Sequence, residues 1–257
     1  ANGQGNAAAE ALQKAYRFLV KAISNVSDVG LQRNYLNKLP AHRQIIEAWL
    51  AQGQKSNLKA DELFKHLAGD ADERQPFSRL VNTGLLLNEL QSEEELIEFL
   101  FEEATELSGA EHVLLILENE ENRHLAGSRM PLGEEPQALF EFAQGRLEQV
   151  RQSRQVLLES AESPDAPDPS RITAPLLAQN KVLGYLYADM AARYGRFDQT
   201  DADMLGMLAS QAAVALENLR LVEGLEDQVA QRTAELQEAR QIAEAANLSW
   251  LPEIRDI

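Results

Sequence analysis

From residue 208 to residue 246 one helical rhythm runs through the chain, interrupted only by Arg232. Helices of compact domains run roughly 8–20 residues, so this segment must do more than close a core. Its first part, LASQAAVALENLRL (208–221), sets Ala212, Ala213 and Ala215 on the inner side. Small side chains let a helix lie close to a sheet, to another helix or to a second copy of itself. Its second part carries Val222, Leu225, Val229, Leu236, Ala239, Ala243 and Ala246 at 3-4 spacing with charges on both flanks. A narrow seam of that kind predicts a two-stranded coiled coil over 222–247. Pro252 breaks the pattern, so 248–257 reads as the start of another domain or as a tail.

The other end of the chain is also helical. Leu19, Val20, Ile23 and Val26 are spaced for one helix, and Leu31, Tyr35, Leu36 and Leu39 for a second that stops at Pro40. Ile45, Ile46, Trp49 and Leu50 give a third, ending near Gly53, and Leu58, Leu63, Phe64 and Leu67 a short fourth. Residues 1–70 therefore read as a helical connector, in the manner of the end of a helical repeat array. The charged, proline-closed stretch 69–76 marks a boundary, and 71–84 a linker leading into a new helix. Ser92 with Glu95 forms a capping box ahead of Leu96, Ile97, Leu100, Phe101, Ala104 and Leu107, and Gly109 stands where a helix-ending glycine belongs.

Then the period changes. HVLLILEN (112–119) is apolar on both faces, as in a central strand, and NRHLAGS (122–128) can return beside it. A helix follows over 136–155, with Leu139, Phe142, Leu147 and Val150 expected inward. VLLES (156–160) is a strand, and AESPDAPDPS, with its three prolines, a loop. RITAPLL and VLGYLYADM form a hairpin around Gln179-Asn180, with Pro175 predicting a bulge or an edge. Thr200 with Asp203 is expected to cap the long helix. Helices at both ends of a run of tightly connected antiparallel strands make an α+β fold.

Over 85–221 these residues resemble the GAF domain. The resemblance rests on four pieces in order: Pro175-Leu176 at the end of a strand, Gly184 to Tyr187 in the next, Phe197 and Asp201 as Phe-x-x-x-Asp, and a helix with Leu208, Gln211, Ala212, Ala213, Ala215 and Asn218. It implies a six-stranded antiparallel sheet with the terminal helices on one face and a small-molecule pocket on the other. Pro175, Gly184, Phe197, Asp201, Gln211 and Asn218 are then structural motif positions, and His124, Arg129, Phe140, Arg171 and Tyr187 the candidate pocket residues. Most GAF domains are sensory inputs, and residues 222–247 are similar to the helices that join such modules to kinases or cyclases. The resemblance thus implies a homodimer through terminal helices, a downstream enzyme in the same protein and possible control by a small ligand. A ligand-free dimerisation module is the alternative.

Composition and motif content narrow the chemistry. The chain has no cysteine, which removes thiolate metal sites, cysteine nucleophiles and a bilin attachment point. Its net charge of −17 disfavours nucleic acid and anionic membranes as partners, and a cytoplasmic location is expected. His112 and His124 can meet across the first hairpin, yet two histidines without a third ligand do not make a metal site. There is no phosphate-binding glycine loop and no Gly-x-Ser-x-Gly elbow, so a non-catalytic chain is expected. The Asn-Lys pair of cyclic-nucleotide-binding relatives is replaced by Asp189-Met190, and Ala202 follows Asp201 where they carry Glu. No cofactor is assigned.

Overall fold

The computed structural model describes residues 2–68, 83–87, 89–119 and 122–250. The expected boundary at 69–76, the helix start at 77–81 and the tail beyond 250 lie outside these residues. The chain divides into two compact units, Ala1–Ala215 and Leu216–Ile257.

The first unit is built on one antiparallel sheet. Its strands are β1 (His112–Asn119), β2 (Asn122–Arg129), β3 (Leu157–Glu159), β4 (Ser170–Ala178) and β5 (Lys181–Met190), in the order β2-β1-β5-β4-β3. The sheet has five strands, not the six expected. The stretches 130–135 and 161–169 add no strand. Between β2 and the next helix, Pro131 lacks a donor and Gly133 turns with φ 93, and Pro136 already begins that helix. The loop before β4 carries its three prolines. The hairpin joining β4 and β5 is as expected: Gln179 and Asn180 both have positive φ, 43 and 71, as a two-residue turn matched to strand twist requires. Pro175 meets the edge reading, and the bulge falls just past it. The proline lies beyond the residues of β4 that pair with β3, and a register shift follows at Leu176/Leu177.

Helix α1 is Asn2–Ile23, α2 Val29–Asn37, α3 Pro40–Lys55 and α4 Ala60–Leu63, followed by a 3-10 turn at Lys65–Leu67. Residues 83–87 are helical. Helix α5 is Glu93–Ser108, α6 Pro136–Ser153 and α7 Gln199–Trp250. Ser92 accepts from the Glu95 amide, and Gly109 ends α5 with φ 70, both as the sequence indicates. The cap of α7 lies two residues earlier than expected. Asp198 and Asp201, not Thr200 and Asp203, exchange amide-to-carboxylate bonds of 2.8 and 3.1 Å. An aspartate before Gln199 satisfies the first orphan amides, so Thr200 is already inside the helix.

The two faces of the sheet are covered differently. Gly127 of β2 stands in register with Leu115, and the Phe101 ring of α5 packs where its side chain would be. Helix α6 covers the opposite face, where Phe140, Ala143, Leu147 and Val150 meet Leu114, Ile116, Tyr185 and Tyr187. Phe142, expected inward, is 53% exposed. Leu147 and Val150 are inward as expected and Leu139 packs at the margin of the same cluster, while Phe140 takes the central place expected of Phe142.

The N-terminal helices belong to the same compact unit. Helix α2 caps the carboxyl end of α5, whose last carbonyls have no partner within their own helix. Asn34 donates to the Thr105 carbonyl at 2.8 Å, Arg33 to that of Ser108 at 2.9 Å and Asn37 to that of Gly109 at 2.7 Å. Gly30 permits this approach, since a Cβ there would fall 2.3 Å from the Glu106 carbonyl oxygen. Arg33 also pairs with Asp201 at 2.7 Å, so the same guanidinium ties α2, α5 and the start of α7 together. Buried His66, whose pKa burial lowers, donates through Nε2 to the Arg193 carbonyl and accepts at Nδ1 from the Tyr16 hydroxyl, both at 2.8 Å. The carbonyl can only accept, which fixes the tautomer.

Within α7, Ala202, Leu205, Leu208, Ala209, Ala212 and Ala213 are buried. In the second unit residues 220–244 are exposed, among them Leu221, Val222, Leu225, Val229, Leu236 and Ile242. No helix among the described residues is long and apolar enough to cross a membrane.

Candidate functional site

The α6 face of the sheet is apolar in its middle and charged at both ends, because strand residues two apart share a face. At one end a polar row crosses four strands in register: His112 of β1 beside Asp189 of β5, Asp189 beside Arg171 of β4, and Arg171 beside Glu159 of β3. Beside this row lies a cleft of about 520 Å³, bounded by His112, Glu134, Leu139, Phe142, Pro169 and Asp189. That volume suits a small molecule, and its walls are mixed apolar and charged.

His112 is one of three cationic side chains lining the cleft, with Arg43 and Arg193. Its Nδ1 is hydrogen-bonded to Asp189, and its Nε2 lies 2.7 Å from Glu134 in a charge contact not aligned as a hydrogen bond. Burial opposes its charge, but the Asp189 bond and the carboxylates of Asp189, Glu134 and Glu111 outweigh it and raise the imidazole pKa to about 9. A histidine held protonated at neutral pH is a charge anchor rather than a base. Asp189 also accepts from the Tyr187 hydroxyl at 2.8 Å; burial, followed by the Asp189 charge, pushes that phenol up. Glu111 is paired with Arg43 at 2.9 Å. Among the described residues, no group of three or more histidines and carboxylates is placed to hold a metal ion.

Of the pocket residues proposed from sequence, the structure brings three to this face. Phe140 and Tyr187 are part of its packed core, and Arg171 lies in the polar row. Arg171 is 7% exposed, and its guanidinium carbon is 5.0 Å from the centre of the Phe142 ring. The other two lie on the opposite face. His124 is opposite Leu117 and exposed, so it does not meet His112. Arg129 is opposite Val113, with its guanidinium 4.0 Å from Glu98 of α5. The β2 register shift at Leu115/Ile116 decides this, because one extra residue exchanges the faces beyond it. The sequence reading did not pick out Thr173 or Phe142 as site residues. Thr173 was legible in principle, since it is two residues from Arg171 on the same strand.

The motif positions have packing roles. A Cβ on Gly184 would fall 2.2 Å from the Ile116 carbonyl oxygen, so β5 can pair with β1 there only as glycine. Phe197 is buried with Arg33 5.6 Å above its ring, and Gln211 packs against Gly84. Asn218 is an exception: it falls in the second unit and is exposed.

Residues 91–217 match the sequence profile of the GAF domain. No curated protein matches the sequence. Similar solved structures include the GAF domain of a phosphoenolpyruvate-protein phosphotransferase from Coxiella burnetii, at 14% identity over 60% of this chain and 99% of that one, with a TM-score of 0.49. A free methionine-R-sulfoxide reductase from Neisseria meningitidis, in complex with its substrate, is 22% identical over 61% of this chain and 97% of its own, with a TM-score of 0.44. A GAF domain/HD domain protein from Geobacter sulfurreducens is 17% identical over 52% and 98%, with a TM-score of 0.42. Residues 91–217 of this chain are a GAF domain, one of the sensory and regulatory modules found in signalling proteins.

Proposed function

We propose that the chain is a non-catalytic cytoplasmic sensor that passes the state of a ligand or partner through a dimeric C-terminal helix to a downstream kinase or cyclase. The observation that carries this reading is the exposed apolar seam of the second unit. Val222, Leu225, Val229 and Leu236 follow a heptad spacing and are 53%, 60%, 65% and 71% exposed. A row of that kind on a solvated helix is a surface for a like helix. Arg232 falls at the next seam position after Val229 and pairs with Glu235 at 3.2 Å. A charged seam residue weakens a coiled coil and fixes its register, which suits an output helix that must shift between two packings.

The expected result of light scattering is a dimer whose dissociation becomes visible on dilution, and Arg232→Leu should tighten it by about tenfold or more. A chain that stays monomeric across a wide concentration range ends this proposal. The ligand-free alternative also has an observation behind it: Phe140, Leu147, Tyr185 and Tyr187 fill the middle of the α6 face. Thermal shift and native mass spectrometry against nucleotides and metabolites separate the two readings, since only a sensor is stabilised by one of them.

A further inference from the structure

The α6 face leaves two adjacent polar groups of β4 without hydrogen-bond partners. Arg171 is 7% exposed and its Nε has none, while Thr173, two residues on and on the same face, is 1% exposed with its Oγ1 equally unpartnered. The carboxylates in register with Arg171 are engaged elsewhere: Asp189 by His112 and Tyr187, Glu159 by Arg146. What remains to Arg171 is a 3.7 Å charge contact with Asp168, itself exposed. Buried polar groups are ordinarily hydrogen-bonded, and a guanidinium most of all.

The chemistry of these two groups sets what would complete them. Arg Nε–H only donates, and the Thr hydroxyl can donate, so the missing group is an acceptor with charge to match the guanidinium. The acidic residues around the cleft do not argue for a cationic ligand, because Asp189 and Glu134 flank His112, Glu111 is paired with Arg43, and the exposed Glu135 shares the lining with Arg193. Phe142, which lines the cleft, has the guanidiniums of Arg146 and Arg171 at 4.6 and 5.0 Å from its ring centre. The ring is 53% exposed and Arg171 does not itself line the cleft, so a ligand there reaches Arg171 only by displacing Phe142.

We propose that Arg171 and Thr173 receive the oxyanion, carboxylate or phosphate, of a small organic molecule that enters the cleft past Phe142. The proposal rests on the sensor reading above and names the ligand class of its site. The test is calorimetric titration of the full chain with phenylphosphate and with benzoate, and with benzamidine as the cationic counter-probe. One or both anions should bind and benzamidine should not; the tighter of the two anions distinguishes a phosphate site from a carboxylate site. Arg171→Met should weaken anion binding by about tenfold or more. Without probe it should leave the melting temperature unchanged or raise it, because it removes an unsatisfied buried charge. Phe142→Ala should strengthen binding. The proposal is overturned if no anion binds, if Arg171→Met binds as well as the parent, or if that variant alone melts several degrees lower. Benzamidine binding that ignores Arg171 would overturn the oxyanion while leaving a sensor. If none of the probes binds while the chain is still a dimer, the oxyanion is overturned and the ligand-free module is favoured.

Discussion

The two charged ends of the α6 face are built alike and finished differently. At the far end Glu118 of β1 accepts from the Tyr185 hydroxyl at 2.6 Å and from Arg123 at 2.8 Å on one oxygen, and Arg151 is 3.0 Å from the other. Arg123 reaches on to Glu148 at 2.8 Å. At the cleft end Tyr187 and Asp189 repeat the tyrosine-to-carboxylate bond, but Arg171 and Thr173 are left with donors unused. A network closed on itself stabilises and specifies the sheet, whereas the donors left open at the other end are those the proposed oxyanion would engage.

Removing a member should therefore have opposite consequences at the two ends. Glu118→Gln keeps the shape but takes the carboxylate from Arg123, Arg151 and Tyr185, and should cost about 3 kcal/mol in equilibrium urea unfolding. This is the largest effect expected. If Glu118→Gln is no more destabilising than Arg171→Met, the two ends are not different in kind and the contrast drawn here is wrong.

The ends should also part company with pH. Burial works against the Glu118 charge, but Tyr185 and Arg123 outweigh it and hold the carboxyl below its ordinary value. Its contribution is present above that ordinary value and is lost only as pH falls through the lowered one. His112 behaves in reverse. Its pKa is raised to about 9, so its contribution is complete below the ordinary histidine range near 6.5 and disappears as pH climbs through 9. Discounted for partial exposure, the loss should be on the order of 2 kcal/mol. Urea unfolding at pH 6 and pH 10 should show His112→Gln well below the parent at the first and nearly level with it at the second. A gap that does not close means that His112 is not held as a cation.

Much of this face was legible from short-range pattern. The family resemblance put Tyr187 and Arg171 among the pocket candidates, the sheet sets them on one face, and Gln179-Asn180 announced the turn between their strands. The features that pattern missed have physical reasons. Arg129 follows a bulge, and a bulge has no sequence period. Phe142 and Phe140 sit on neighbouring stripes of one helix, and only the partner sheet chooses between them. The reciprocal cap at Asp198 and Asp201 competed with an equally good Thr-x-x-Asp two residues later. Arg33 meets Asp201 across nearly the whole first unit, a contact that no local spacing encodes. An unpartnered donor is still less visible, because it is defined by what every other residue has already bonded.

The smallest expected effect is the most discriminating. Thr173→Val exchanges a hydroxyl for a methyl of the same shape at a position 1% exposed. Were Oγ1 hydrogen-bonded within the protein, the change would leave a partner unsatisfied and destabilise the fold by about 1–3 kcal/mol. With no partner to abandon, it should instead be neutral or raise stability by up to about 1 kcal/mol. The same valine should weaken phenylphosphate or benzoate binding a few-fold, since the ligand loses a donor that nothing else employs. Stability and affinity would then move in opposite directions from one oxygen atom. A structural hydroxyl would move stability down and leave affinity alone, so measuring both on Thr173→Val tells whether this end of the face is built to hold the sheet or to be completed from outside.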